Sequence, residues 1–368
     1  ELRKKLLGVD ELHMYDLYCP LIEGVSGRTP IEEAKKTVYD ALAPLGEDYR
    51  KVLQQGFDNR WIDVYENAGK RSGAYSAGAR VHPYVLLNYT GTLDSQFTLA
   101  HEMGHAMHSY LSNHNQNPLD AEYVIFVAEV ASTCNEVLLM RHLLKKTTDK
   151  KQRAYLINHF MDQFKGTVYR QTMFAEFELA MGKMAENGQA LTADALCQKY
   201  HELNKLYFGP DMVSDDQIAL EWARIPHFFY NYYVFQYATG FSAACAIANR
   251  ILAEGETAVA DYKKFLSAGG SMDPISILKL AGVDMGAYEG KEICMGIRPE
   301  DILMVSAGSE APNQISGEIL VSTFLGKRNQ YNVRTAIGEF EVSTDQESVY
   351  KAGDKVALSL TPNKIILL

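Results

Sequence analysis

The fold of this chain is decided by one stretch of its sequence, Thr98-Leu99-Ala100-His101-Glu102-Met103-Gly104-His105-Ala106-Met107-His108. His101 and His105 are four residues apart, so on a helix their rings project from one face and can bind the same zinc ion. Glu102, beside the first histidine, can reach a metal-bound water and act as a general base. A chance occurrence of this pattern on an amphipathic helix is the alternative, so the stretch needs support from elsewhere in the sequence.

A catalytic zinc needs a third protein ligand and leaves a fourth position open for water. We do not expect His108 to be that ligand, because seven helical residues from His101 correspond to about 10 Å of axial rise, whereas two ligands at ~2.1 Å from one zinc lie only ~4 Å apart. We place His108 in the core or beside the ligands. Glu129 is the better candidate, since an acid within the apolar run at 125–130 is costly to bury unless it is paired or bound to metal. The alternative, a solvated helix face, fits those apolar neighbours poorly.

The third feature is an aromatic segment at residues 225–240. Seven of the ten residues from 228 to 237 are aromatic, against 11% of the whole chain, so the enrichment needs a local cause. An aromatic core helix is one explanation, but four tyrosines together with His227 favour hydrogen-bond donors that face a polar cleft. Donors of this kind stabilise the oxyanion that develops in zinc-assisted acyl transfer. Three of the tyrosines follow at three- and four-residue steps, which predicts that they share one helix face: Tyr230, Tyr233 and Tyr237.

Composition excludes several classes of protein. The chain has 368 residues with 47% apolar and 22% charged, an ordinary globular mix. Its net charge of −10 argues against a nucleic-acid partner, and no apolar run approaches the ~18–20 residues of a membrane span. The five cysteines are widely spaced without a C-x-x-C pair, and the first residues lack the apolar core of a signal peptide. The cytoplasm is therefore the expected location.

Most of the sequence between residues 29 and 285 has the periodicity of helices. Apolar residues recur at three- and four-residue steps, most clearly over 121–145 and 152–186. The run Thr29-Pro30-Ile31-Glu32 matches a capping box, which predicts a helix that ends near Ala43.

Two regions predict β-structure. Residues 82–89 have the composition of a strand, and Pro83 near its start favours a sheet edge. After about residue 284 glycines separate short runs rich in β-favouring residues, as in a small all-β sandwich or barrel. We place the domain boundary near residue 288.

Five segments together resemble oligoendopeptidase F, in the thimet-oligopeptidase family of zinc metallopeptidases. They are residues 71–75, 82–89, 101–108, 126–135 and 227–240. The likeness extends over about residues 1–285, and it implies a mainly α, zincin-type metallopeptidase domain with a small β-sheet at residues 1–288. An oligopeptide substrate is implied as well.

The resemblance also implies roles for individual residues. The implied Zn²⁺ ligands are His101, His105 and Glu129, with Glu102 as the catalytic base. One or more of the tyrosines would bind the scissile carbonyl together with His227, and the choice stays open among Tyr230, Tyr233 and Tyr237. The strand at 82–89 would hold the peptide as an added strand. Family members are longer upstream of the zinc helix, so we expect most of their upstream helical lobe to be missing from this sequence.

The last part of the chain resembles the TOBE domain of ABC-transporter ATPase subunits. The resemblance rests on residues 295–301, 324–326 and 353–356, and it implies a small OB-like β-barrel at 289–368 linked to ligand sensing or regulation. A small ligand or a transporter partner would fit such a domain. The sequence contains no G-x-x-x-x-G-K-[ST] loop, so P-loop ATP hydrolysis is not expected.

Two functions follow from these patterns. The first is a zinc-dependent endopeptidase that hydrolyses oligopeptides with a metal-activated water and a glutamate base. The second is a non-catalytic peptide-binding or ligand-sensing fusion protein built on a truncated peptidase core.

Overall fold

The computed structural model describes residues 2–22, 27–285, 295–297, 302–306, 314–324, 328–336, 338–344, 349–360 and 365–367. The chain divides into two compact units, Glu1–Met285 and Gly286–Leu368. The boundary predicted near residue 288 lies outside the described residues. Among the helices that are described, none is both long enough and apolar enough to cross a membrane.

The first unit is built mainly from helices. They are α1 (Leu2–Leu7), α2 (Ile31–Ala41), α3 (Glu47–Asp58), α4 (Leu93–Asn115), α5 (Ile125–Lys146), α6 (Lys150–Phe164), α7 (Arg170–Glu186), α8 (Ala193–Phe208), α9 (Phe235–Glu254), α10 (Glu256–Leu266) and α11 (Pro274–Leu280). Short 3₁₀ segments lie at Met14–Tyr18, Ala43–Leu45, Asp216–Arg224 and Pro226–Phe229. A three-stranded sheet, β1 (Ile62–Asp63), β2 (Tyr75–Ala77) and β3 (Tyr84–Leu86), lies between α3 and α4 in the chain. This architecture confirms the mainly α, zincin-type fold with a small sheet.

The sheet differs from the prediction in its strand order, which is β1-β3-β2. β3 is the central strand, parallel to β1 and antiparallel to β2, so the prediction that residues 82–89 form a sheet edge is wrong. Pro83 lies just before the strand, so its missing N–H removes no bond from the ladder. The outer position beside α4 belongs to β2.

The predicted capping box at the start of α2 is also wrong. The N-cap position is Pro30 and no side chain caps the first turn. Thr29 is engaged elsewhere, because its N–H donates to the Gly91 carbonyl over 2.9 Å and its own carbonyl accepts from the Tyr89 hydroxyl over 2.8 Å.

The helical pattern predicted over 152–186 is present in the structure as α6 and α7. A π-helical turn at Lys165–Tyr169 joins α6 to α7. A π turn keeps the chain helical and adds about one residue, which rotates the apolar face of α7 by about 100° relative to that of α6. The three- and four-residue steps on either side of the join still predict helix, so they do not reveal the π turn.

The core of the first unit is centred on α5, which packs against both α4 and α9. α4 and α5 approach closely at Gly104, where a Cβ atom would lie 2.6 Å from the Ser132 Cα. Buried Asn135 also links these helices, because its Nδ2 donates to the Ala100 carbonyl over 3.1 Å and its Oδ1 accepts from the Tyr49 hydroxyl over 3.2 Å. These contacts fix the register between the two helices that carry the candidate ligands.

A smaller apolar cluster joins α7 and α8 to the aromatic segment. Its buried members are Met173, Phe174, Phe177, Leu196, Tyr200, Leu203, Ile225 and Val234. The start of α9 is thereby anchored on α7.

The second unit is an all-β structure. Its strands are β4 (Met295–Ile297), β5 (Ile302–Ser306), β6 (Gln314–Phe324), β7 (Asn329–Thr335), β8 (Gly338–Thr344), β9 (Lys355–Leu360) and β10 (Ile365–Leu367). Five of them form an antiparallel sheet in the order β5-β9-β6-β7-β8, and β10 pairs with β4. The curled sheet confirms the OB-like prediction. The quoted residues 298–301 and 325–326 lie outside the described part of the chain.

Candidate metal centre

Three side chains from two helices converge on one point. His101 and His105 come from α4 and Glu129 from α5. The two histidine Nε2 atoms are 3.2 Å apart, and Glu129 Oε2 lies 3.3 Å from the first and 3.5 Å from the second. Two ligands at ~2.1 Å from a tetrahedral zinc are separated by ~3.4 Å. The three atoms therefore have the mutual spacing that one zinc ion requires, and no other group of potential ligands with such geometry is found among the described residues.

Glu129 is oriented by its neighbours on both sides. Its Oε2 accepts a hydrogen bond from Ser132 Oγ over 2.9 Å, one turn along the same helix. α9 covers the other side at Gly240, where a Cβ atom would lie 3.2 Å from the Glu129 Cβ. A larger residue at position 240 would push against the carboxylate's stem.

The electrostatics of the cluster favour a charged carboxylate. Burial opposes the charge of Glu129, but hydrogen bonds with His101 and His105 outweigh it and hold its pKa far below the usual range. Burial likewise disfavours charged His101, but Glu129 and Glu136 together raise its pKa well above the ordinary value. The site thus concentrates negative potential where a cation would sit.

Glu136 is a site residue that was not predicted from the sequence. It lies on α5 seven residues after Glu129, which is two helical turns along the same face. Its Oε1 is 2.6 Å from His101 Nδ1, and its Oε2 accepts from Gln163 Nε2 of α6 over 2.6 Å. A carboxylate behind a ligating imidazole fixes the ring's tautomer and orientation. The seven-residue spacing of the two glutamates was the pattern that could have revealed it.

Glu102 lies on α4 between the two histidines and is 5% exposed. Burial raises the pKa of its carboxyl group, while the nearby His101 and His105 lower it. Its Oε2 is buried and has no hydrogen-bond partner among the described residues. A buried acceptor without a partner beside a metal-ligand set fits a site that receives a water molecule and a metal ion.

His108 lies in the core. Its ring stacks on Tyr123 with centroids 3.6 Å apart, and Phe265 is 5.3 Å away. Within the part of the chain that the structure describes, neither ring nitrogen has a hydrogen-bond partner, and burial lowers the pKa of His108 to about 3. The imidazole is therefore neutral and takes no part in the ligand cluster.

The aromatic segment is not the single helix that the spacing predicted. α9 begins at Phe235, so Tyr230 and Tyr233 precede it. Two consecutive residues, Asn231 (φ 50°) and Tyr232 (φ 54°), adopt left-handed backbone conformations that reverse the chain. The prediction of one shared helix face is wrong for this reason, because a regular 3.6-residue period does not survive such a turn.

The turn nevertheless brings the predicted donors together. The Tyr237 hydroxyl lies 3.3 Å from His227 Nε2. The Tyr233 ring is 5.6 Å from the rings of both His227 and Tyr237, and Tyr230 is 5.8 Å from Tyr233. Tyr230 is 62% exposed, whereas the other two tyrosines are half-buried.

Tyr237 connects this donor group to the ligand cluster. Burial raises the pKa of its hydroxyl, a hydrogen bond with Tyr233 raises it further, and the charge of Glu129 adds to the effect. The hydroxyl therefore stays protonated and available as a donor within the electrostatic reach of the ligand carboxylate.

The models of two known families match this chain. The model of peptidase family M3 matches residues 1–296, and the TOBE domain model matches residues 295–368. Both matches confirm the resemblances drawn from the sequence.

Individual relatives match about three quarters of the chain. Oligopeptidase PepF of Bacillus subtilis (strain 168) is 54% identical over 289 residues, which cover 78% of this chain and 43% of the relative. The chromosomal oligoendopeptidase F of Lactococcus lactis subsp. cremoris is 46% identical over 286 residues, or 77% of this chain and 47% of the relative. The crystal structure of oligoendopeptidase-F from Enterococcus faecium superimposes with a TM-score of 0.57 at 43% identity, covering 77% of this chain and 44% of that one. The chain spans about half the length of the curated relatives it matches. It belongs to peptidase family M3 and carries a TOBE domain after its peptidase part.

Proposed function

We propose that this chain is a zinc-dependent endopeptidase that hydrolyses oligopeptides. The observation that carries the proposal is the triangle formed by His101, His105 and Glu129. Glu102 lies between the two histidines in sequence, and its buried Oε2 has no hydrogen-bond partner among the described residues. Membership of peptidase family M3 supports the same reaction class. The reducing, cytoplasmic location expected from the sequence is part of this proposal.

The roles of the residues follow from their positions. His101, His105 and Glu129 would hold Zn²⁺, which when bound polarises a carbonyl and lowers the pKa of water. Glu102 accepts the proton of the attacking water at its free Oε2 and passes it to the leaving amine. His227 and the tyrosines donate hydrogen bonds to the oxygen that becomes negatively charged, and the contact with His227 favours Tyr237 for this role.

The outer strand β2, rather than β3, is the place where a peptide would add to the sheet. A cavity of about 310 Å³ at one end of β2 is lined by residues that include Gly73 and Thr98. A second cavity of about 460 Å³ at the other end is lined by residues that include Gly78 and Ser109. Room for substrate side chains is thus available at both ends of β2.

The decisive experiment measures zinc content and peptide cleavage on the same sample. We expect one zinc per chain and cleavage of a quenched fluorescent oligopeptide that stops with a chelator and returns with zinc. Glu102→Gln should retain the zinc and lose about 10²–10⁴-fold in kcat. Exposed Glu186 on α7 provides the matched control, because Glu186→Gln makes the same charge change away from the site. Cleavage by Glu102→Gln at the parent rate would contradict the assignment of the base.

A second candidate function is favoured by the TOBE domain. The peptidase part would then present a peptide groove without hydrolysis, and the second unit would respond to a small ligand or a transporter partner. Peptide binding without cleavage by the zinc-loaded chain would support this function instead. Digestion of casein alongside a short peptide would tell whether an active chain also accepts unfolded proteins.

A further inference from the structure

The turn between His227 and α9 is built from residues that do not favour its conformation. Asn231 and Tyr232 both have positive φ angles, of 50° and 54°. Asparagine tolerates the left-handed region, but a tyrosine rarely adopts it, and two such residues in succession persist only where their surroundings hold them. The turn therefore needs an external support.

That support comes from a buried carboxylate on α7. Glu178 is 4% exposed, and its Oε1 accepts the backbone N–H of Tyr232 over 3.0 Å. Its Oε2 faces the backbone N–H of Val234 at 3.5 Å. Burial raises the pKa of Glu178, and backbone N–H groups of the turn, together with the charge of His227, counteract that rise. One carboxylate thus holds the backbone on both sides of Tyr233.

A second contact fixes the side chain of the same turn. The Tyr232 hydroxyl rests against Gly182, one turn further along α7 than Glu178, where a Cβ atom would be only 2.2 Å from that oxygen. Gly182 therefore leaves the space that the tyrosine fills. Backbone and side chain of the turn are both seated on α7.

The geometry points to Glu178 as a positioning residue for the proposed peptidase: by holding the Asn231–Tyr232 turn it sets the spacing between His227 and Tyr237. Tyr233 lies between the two N–H groups that face Glu178, and its ring is 5.6 Å from both His227 and Tyr237. Movement of this backbone would separate the donors without touching the metal ligands. The expected effect of Glu178 on catalysis rests on the proposed function, whereas its effect on the position of His227 does not.

The isosteric change Glu178→Gln tests the inference. The amide keeps one acceptor oxygen but turns an NH₂ group toward the other backbone N–H, so one of the two contacts becomes repulsive. Glu186→Gln is the matched control on the same helix, exposed and eight residues further along the chain than Glu178. The chain has only 10 histidines, so nitrogen-15 spectra of ring-labelled protein can follow His227 individually, with its signal assigned from His227→Gln.

The first readout requires no catalysis. In zinc-loaded protein, Glu178→Gln should shift the ring resonances of His227 and leave those of His101 and His105 unchanged, with one zinc still bound. Chymotrypsin should also cleave the aromatic segment about tenfold faster or more, because the released turn unfolds locally more often. Unchanged His227 resonances and unchanged cleavage in Glu178→Gln, or equal changes in Glu186→Gln, would overturn the inference.

The second readout is kinetic. With misplaced donors, kcat should fall at least about tenfold while KM changes less than about threefold, because such donors act mainly on the transition state. A parent chain that cleaves no peptide would refute the proposed function, and the histidine spectra would still decide the role of Glu178. A change in KM alone, with kcat unchanged, would overturn the positioning role of Glu178.

A second variant covers the case in which Glu178→Gln does not fold. Gly182→Ala keeps every charge and replaces a helix-interior glycine, but its Cβ displaces the Tyr232 hydroxyl. We expect a shift of the His227 signal and a smaller loss of kcat than in Glu178→Gln, because the hydroxyl is the end of a flexible side chain and both contacts of Glu178 remain. An unaltered His227 signal in Gly182→Ala would contradict the seating of the turn on α7.

Discussion

At the scale of single residues, the candidate ligand cluster is the part that the sequence predicts best. Four-residue spacing places His101 and His105 on one helix face whatever the rest of the fold does. Glu129 stands out because its neighbours are apolar, and burial of an acid demands a partner. Glu136 could have been found by the same periodicity. The sequence also groups Tyr237 with His227, but the turn that brings the two together depends on the backbone angles of Asn231 and Tyr232, which no pattern of side chains encodes.

Replacement of Glu136 should weaken the metal site without removing a ligand. Glu136→Gln loses the charge that faces His101 Nδ1 at 2.6 Å, so the imidazole is less firmly oriented and less basic. We expect the dissociation constant for zinc to rise about 10–100-fold, measured by competition with a chromophoric chelator. Equal affinity in the parent and Glu136→Gln would show that this carboxylate does not support the ligand.

His108 should make stability depend on pH. Its pKa is about 3 in the folded chain and 6.5 as the unperturbed value, so below pH 6.5 the unfolded state takes up a proton that the folded state refuses. The free energy of unfolding should therefore fall by about 1.4 kcal/mol per pH unit below that value. The reference protein is His108→Phe, whose ring can keep the stack on Tyr123.

Urea denaturation at pH 7.5 and 5.5 provides the measurement. The parent should lose about 1.4 kcal/mol more than His108→Phe between these two pH values. Parallel losses in the two proteins would show that another group titrates instead.

At the scale of elements, the sequence predicts which segments are helices and strands more reliably than how they are arranged. Residues 82–89 contain a strand, but its central place in the sheet depends on β1, which is only two residues long and has no recognisable pattern. The π turn between α6 and α7 is a second case, since the helical period on each side of it predicts helix throughout the segment. Arrangement is decided by contacts between segments, which a single sequence does not display.

The close approach of α4 and α5 makes Gly104 intolerant of any side chain. A Cβ atom would lie 2.6 Å from the Ser132 Cα, and backbone cannot yield as a flexible side chain can. We expect Gly104→Ala to lower the free energy of unfolding by about 1–3 kcal/mol, since overpacking outweighs the gain in helix propensity. Chemical denaturation of the parent and of Gly104→Ala measures this difference in the free energy of unfolding.

Gly166 offers a matched control for that substitution. A Cβ atom at this position meets nothing within 4 Å, so Gly166→Ala should be neutral or stabilise the protein by up to about 1 kcal/mol. If Gly166→Ala lowered the free energy of unfolding as much as Gly104→Ala, the loss would come from replacing a helical glycine and not from the contact between α4 and α5.

At the scale of the whole molecule, the two units have separate cores, and the ligand cluster belongs to the first. Zinc at 100 times its dissociation constant should stabilise the first unit by about 2.7 kcal/mol, because binding favours the folded state. Differential scanning calorimetry should show one transition that rises with zinc and one that does not. A zinc-dependent shift of both transitions would contradict independent unfolding.

The tight contact at Gly104 and the amide bridge of Asn135 set the distance between the ligand-bearing helices with protein groups alone. We therefore expect the candidate ligands to keep this spacing whether or not a cation is bound. Two imidazoles and a carboxylate at fixed spacing also suit cobalt, nickel and copper, and for such donors copper outcompetes zinc. The metal found in the purified protein will therefore depend on which metals the host cell supplies as much as on the preference of the pocket.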